Sequence, residues 1–242
     1  MILVGALSLL HGKFGLNNFL RRGVMLGIGG KFLDLLYPPQ CLGCDLWYSF
    51  GNDNYLCAVC RDSIVSSSLI LSRSIDDIVV FSGFRYTSKI VARVVRALKY
   101  EHIFAAADIC GQWLVPIFQR FPSDKTVFIP VPLHNSRLRE RGFNQAELIC
   151  RAAGDAVETR LLVRSTKTTS QALLSEEDRH KNVFGVFSAV NTCDSEVNYV
   201  VVDDVVTSGS TLRDCARALR GAGAQKIFGI TVASTNSEEV VL

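Results

Sequence analysis

The sequence predicts an α/β protein, a parallel sheet flanked by helices, with a small cysteine-rich ribbon on its N-terminal side. Three observations carry this. Short runs such as Tyr199–Val202 are apolar at every position, as strands buried on both faces are. Between such runs, apolar residues recur at helical spacing, for example Ile90, Val91, Val94, Val95 and Leu98. Four of the eight cysteines crowd into Cys41–Cys60, while Cys110, Cys150, Cys193 and Cys215 stand singly. Strands alternating with helices argue for a sheet built from right-handed crossovers.

The chain is 242 residues, room for one large domain and a small appendage. Apolar residues at 48% and charged residues at 20% exclude wholesale disorder. The 26 Lys and Arg against 23 Asp and Glu give +3, too weak a bias to argue for nucleic acid from charge alone. No apolar run reaches the roughly 18 residues that span a bilayer, so a soluble protein is expected. Isolated cysteines in a chain this long point to a reducing compartment, the cytoplasm.

Residues 1–31 are expected to be a leader, disordered or not translated. Ile2–Leu10 is mostly apolar with no Lys or Arg before it, and Lys13, Arg21, Arg22 and Lys31 precede the first acid, Asp34. That charge order faintly resembles a transit peptide, and Met25 is the alternative start. A ribbon is expected over 32–66, opening on an apolar turn at 32–37 that Pro38-Pro39 stops. Ser66–Ser68 reads as a linker.

The larger domain is expected over 78–235. It starts with a Val- and Phe-rich strand, Ile78–Tyr86, and the helix carrying Ile90–Leu98. A second helix aligns Ile103, Ala107, Cys110, Leu114, Ile117, Phe118 and Phe121 and ends at Pro122. Val127–Val131 reads as a buried strand, followed by a basic loop and a helix from about Asn144, its N-cap, to Ala156. Arg160–Arg164 is a short strand, and 165–182 is polar. After Tyr199–Val202 comes a helix with Leu212, Cys215, Ala216 and Leu219 inward, ended by Gly221 and Gly223. Lys226–Ser234 is the last strand.

Cys41-x2-Cys44-x12-Cys57-x2-Cys60 is two CxxC turns joined by a short loop. Each turn aims two sulfurs at one point, so the pair completes a tetrahedral Zn2+ site with no open position, hence structural rather than catalytic. Gly43 eases the first turn.

The richest segment is Val200 to Thr211, where an apolar strand delivers Asp203 and Asp204 to its carboxyl end. Open α/β sheets bind ligands at that edge. A hydroxyl-rich turn follows: Thr207, Ser208, Gly209, Ser210 and Thr211 open the next helix, and their hydroxyls and backbone N–H groups suit a phosphate. No Lys stands where a nucleoside-triphosphate loop needs one. Adjacent carboxylates beside a phosphate cradle suit vicinal hydroxyls, or Mg2+ on a phosphorylated sugar. Upstream, Arg137, Arg139 and Arg141 alternate in what is expected to be an extended loop, as diphosphate ligands, a solvated charged turn or a nucleic-acid backbone contact.

These pieces together resemble the ComF (competence protein F) family of type I phosphoribosyltransferase-like proteins. The matching motifs are the four cysteines, Leu98-Lys99-Tyr100, Ile129-Pro130-Val131-Pro132-Leu133-His134, and the Arg137 to Gln145 segment. Lys167-x-Thr169-x-Gln171, Arg179-x-x-Asn182 and the acidic loop follow in family order. The resemblance implies the type I phosphoribosyltransferase fold with an N-terminal zinc ribbon. It implies phosphoribosyl pyrophosphate (PRPP) with Mg2+ as ligand, Asp203 and Asp204 on the ribose hydroxyls and Thr207 to Thr211 on the 5-phosphate. The loop after Val131 would meet pyrophosphate, and Lys167 to Gln171 would be the hood closing over the site. Purine-salvage transferases often carry Asp at the Thr207 position, so purine salvage loses support. The implied role is DNA uptake in natural competence or use of imported DNA, with single-stranded DNA or the uptake machinery as partners. The alternative is an active transferase moving phosphoribose from PRPP to an unknown acceptor in nucleotide metabolism.

Overall fold

The computed structural model describes residues 40–47, 55–66, 70–154, 157–164, 185–236 and 238–239. The expected leader, the apolar turn at 32–37, and the hood segment with Lys167 and Gln171 lie outside the described residues. The elements run α1 (Ala58–Ser66), β1 (Leu71–Ile75), β2 (Ile78–Arg85), α2 (Lys89–Tyr100), α3 (Ala105–Phe118), β3 (Thr126–Pro130) and α4 (Asn135–Arg141). Then come α5 (Gln145–Ala153), β4 (Leu162–Arg164), β5 (Phe187–Ala189), β6 (Asn198–Val206), α6 (Ser210–Gly221), β7 (Lys226–Ser234) and β8 (Glu238–Glu239).

The architecture is mixed α/β around a mostly parallel sheet of order β3-β6-β7-β2-β1-β8. The pairs β3–β6, β6–β7 and β7–β2 are parallel, and β1 and β8 add antiparallel edges. Central β6 explains its sequence: Val200, Val201 and Val202 are fully buried because helices cover both faces. Alternation sends Val200 and Val202 into a core with α2, α3 and α5, and Val201 into a second core with Leu212, Cys215 and Leu219 of α6. Phe118 stacks on Phe128 at 4.2 Å, fixing α3 to the edge strand β3. Gly111 of α3 meets α5 so closely that a Cβ there would lie 2.4 Å from Ala152 Cβ.

The sheet differs from expectation at its edge and at the acid pair. The sheet takes in β1, which lies between the expected linker at Ser66–Ser68 and the expected domain start at Ile78. Its backbone pairs with β2 through a tight turn at Asp76-Asp77, where Asp76 has φ +53°. And β6 runs on to Val206, so both acids lie within the strand, in register with β7 through Asp203↔Thr231. Among the described residues no helix is long and apolar enough to cross a membrane.

The cysteine ribbon packs on α2. Cys41, Leu42, Cys60 and Ile64 share one core cluster with Val91, Val94 and Val95. A Cβ on Gly43 would lie 3.1 Å from Ile90 Cγ2, so the first knuckle rests on the start of that helix. Asp45 and Arg93 form an ion pair across the same contact.

Candidate functional site

Edge strand β3 stops at Pro130, opposite Val202, while β6 continues four residues further. That step opens a cleft of about 330 Å³ at the carboxyl edge of the sheet. Its walls include Asp203, Asp204, Thr207 and Thr211 from β6 and the start of α6, with Lys99 of α2, Arg137 of α4 and Arg164 of β4.

The two acids face different ways, because neighbours on a strand project to opposite faces. Asp204 points to the α2 side, is 3% exposed, and takes the Lys99 ammonium at 2.7 Å on Oδ1. Its Oδ2 is buried with no hydrogen-bond partner. Burial pulls the Lys99 pKa down, but the Asp204 carboxylate outweighs it, and the ammonium is held above its ordinary range. Asp203 points to the α6 side and accepts the Asp204 N–H at 2.8 Å. Burial, then the Asp204 charge, push the Asp203 carboxyl up to about 7, against the pull of that N–H and of Lys99. Two neighbouring carboxylates thus share one protein cation.

The hydroxyl turn is built as a helix start. Gly209 is the N-cap of α6 with φ +79°, a conformation that suits glycine. Ser210 N–H donates to Ser208 Oγ at 3.4 Å, and Ser208 Oγ–H to Ser210 Oγ at 3.2 Å. Thr207 and Thr211 line the cleft; Ser208, Gly209 and Ser210 do not. A Cβ on Gly209 would meet Ile75 Cδ1 at 2.3 Å, so protein fills the side of the turn that its missing side chain faces.

The basic segment is also corrected. Arg137, Arg139 and Arg141 lie not on an extended loop but in helix α4, Asn135–Arg141. His134 caps it, its Nδ1 accepting Ser136 N–H, and Gly142 ends it with φ +74°. Helical spacing turns Arg139 away from Arg137 and Arg141, which stand four residues apart on one face. Arg137 reaches the cleft; Arg139 is exposed outside it. Arg141 donates to Gln145 Oε1 at 3.1 Å and lies over the Tyr100 ring. Asn144 caps α5 as expected, accepting Ala146 N–H, and also donates to Val131 O at 3.0 Å, which ties the strand end to the helix. Sequence reasoning assigned no role to Lys99, although it stands in a quoted motif, and missed Arg164. β4 and β5, the stems on either side of the 165–184 segment, pair with each other, which sets Arg164 at the cleft.

The four ribbon sulfurs all lie within 4.8 Å of one another. A tetrahedral ion with bonds of about 2.3 Å spaces its sulfurs about 3.8 Å apart, and Cys44 Sγ and Cys57 Sγ are 3.8 Å apart. Backbone N–H groups of Gly43 and Cys57 donate to Cys41 Sγ at 3.3 and 3.2 Å. Burial, then the neighbouring sulfurs, push the Cys60 thiol up, so a cation is what would hold all four as thiolates. The cluster can bind a metal. Of the other four cysteines, Cys110, Cys150 and Cys215 are buried and their thiols pushed up by it, while Cys193 is half-buried.

Fold and site define an α/β protein with a mostly parallel sheet, a polar cleft at its carboxyl edge and a tetracysteine cluster beside it. No family model matches the chain. It is a homologue of proteins named for competence and DNA utilization. It is 38% identical over 105 residues to competence protein F of Haemophilus influenzae, covering 41% of this chain and 46% of that one. With ComFC of Bacillus subtilis it shares 28% over 213 residues, 84% of this chain and 77% of that one. With the DNA utilization protein YhgH of Salmonella typhi it shares 31% over 148 residues, 60% of each. The chain thus spans about half the length of the competence protein F it matches. A solved hypoxanthine phosphoribosyltransferase from Staphylococcus aureus overlays with a TM-score of 0.32 at 10% identity, over 55% of this chain and 68% of that one.

Proposed function

We propose that the cleft binds a phosphorylated ribose, PRPP, and that the protein serves the use of imported DNA as its competence and DNA-utilization relatives are named for. The carrying observation is Asp204. Its carboxylate lines the cleft with one oxygen on Lys99 and the other buried without a partner, and an orphaned carboxylate oxygen calls for a donor such as a sugar hydroxyl. Asp203 takes a second hydroxyl. Thr207 and Thr211, at the positive end of α6, suit the 5-phosphate, with Ser208, Gly209 and Ser210 shaping that turn. Arg137 meets the diphosphate, which brings its own Mg2+. The four thiolates hold one Zn2+ in a closed structural site.

Calorimetric titration of PRPP with Mg2+ tests the reading. Wild type should bind, and Asp204→Asn, which keeps shape and loses charge, should bind roughly tenfold or more weakly. Wild-type protein with no PRPP heat sinks the reading. Release of pyrophosphate from PRPP on adding nucleic acid or a nucleobase would make the same cleft that of a transferase.

A further inference from the structure

Lys99 stands in the cleft from a direction the phosphate and hydroxyl groups do not use. It comes from the last turn of α2, its side chain is 22% exposed, and its Nζ ends 2.7 Å from Asp204 Oδ1. Asp204 itself is almost closed off from solvent. A carboxylate in such a place, next to a second one, keeps its charge only with a cation at contact distance. We propose that Lys99 is the positioning residue of this cleft: its ammonium takes one oxygen of Asp204, holds that carboxylate charged and oriented without a bound metal ion, and leaves the other oxygen as the acceptor for a sugar hydroxyl. The inference rests on the sugar-phosphate reading above and adds to it the group that makes the acid pair usable at neutral pH.

The surroundings leave this role to Lys99. Asp203 on the same strand and Cys110 of α3 are close to Asp204, Tyr100 adjoins Lys99, and Tyr86, Arg137 and Arg164 stand on the cleft wall. Cys110 is neutral, its thiol pushed up by burial. Neither arginine forms an ion pair with Asp204, and among the described residues Lys99 alone does. Without it, the two neighbouring carboxylates would stand with no cation in contact, and Asp203, already pushed up by burial and by the Asp204 charge, would lose the pull of Lys99 that favours its ionised form.

Ribose 5-phosphate in metal-free buffer is the probe, because it carries the diol and no diphosphate. Wild type, Lys99→Gln, Lys99→Arg and Asp204→Asn are titrated from pH 6 to 9, with melting curves to confirm folding. Lys99→Gln should bind roughly tenfold or more weakly than wild type at pH 7. It should recover most of that loss by pH 9, as the acids ionise without help. Lys99→Arg should stay within a few-fold of wild type, and Asp204→Asn should be weak at every pH. The recovery is read within one variant, so a change in stability does not imitate it. If wild type binds while Lys99→Gln matches it, or is weak by the same factor at every pH, the positioning role is overturned and the sugar-phosphate reading survives. If wild type binds neither ribose 5-phosphate nor PRPP, both fall.

Discussion

Gly209 faces Ile75. A Cβ placed on the glycine would lie 2.3 Å from Ile75 Cδ1 and 3.0 Å from Arg73 Nη2, so the β1 hairpin closes over the back of the turn that starts α6. The hairpin is tied there by Arg213 donating to Asp76 at 2.6 Å and by the Arg220–Asp77 ion pair. The glycine therefore answers to packing as much as to its left-handed backbone.

Gly209→Ala should be destabilising before it is a binding defect. The left-handed backbone alone costs a side-chain-bearing residue about 1–2 kcal/mol, and Ile75 must also move. Urea unfolding should show a loss of roughly 2–3 kcal/mol. A variant as stable as wild type would mean that the hairpin yields freely.

Arg137 and Arg139 should separate cleanly. Arg137→Ala removes a cation from the cleft wall and should weaken PRPP more than ribose 5-phosphate, by roughly tenfold. Arg139→Ala lies on the outer side of α4 and should change neither by more than about twofold. Equal losses from both would restore the extended-loop picture.

Asp203 should make stability depend on pH. Its carboxyl is raised from 3.8 to about 7, so the folded chain holds a proton that the unfolded chain releases. The group's contribution to stability then falls as pH rises from about 4 to about 7 and stays low above that. Asp203→Asn should be more stable than wild type at pH 8, by roughly 1–2 kcal/mol, with the gap closing towards pH 4. A gap that does not change with pH, followed by thermal unfolding, would remove the raised acid.

Elemental analysis should find about one Zn2+ per chain, the content of one closed four-thiolate site. Cys57→Ser should lose the metal and lower the melting temperature, since Cys41 and Cys60 are in the same core as α2. Metal-free wild type with four freely reactive thiols would refute the site.

What the sequence made legible was what its pattern encodes locally. Lys226–Ser234 was readable to the residue, because a run buried at nearly every position sits between turn residues. The cysteine spacing and the acid pair announced themselves in the same way. Helix α4 did not: four of its seven residues are charged, none is buried, and it exists through its two caps rather than through an apolar face. The partnership of Lys99 with Asp204 was invisible because the two stand on elements far apart in the chain and meet only through the packing of α2 on the sheet. Arg164 was missed because β4 is three residues long and owes its place to pairing with β5.

Helix α2 has one end against the cysteine cluster, at Ile90, and the other inside the cleft, at Lys99. Nine residues of helix make a strut of about 14 Å between them. A strut passes on whatever happens at its footing. Oxidation of the sulfurs, or a shortage of the ion proposed for them, would loosen that footing at Ile90, nine residues from the ammonium facing Asp204. The footing of the cleft's cation is thus laid in the cysteine ribbon, so the order of the ribbon and the place of Lys99 depend on one helix.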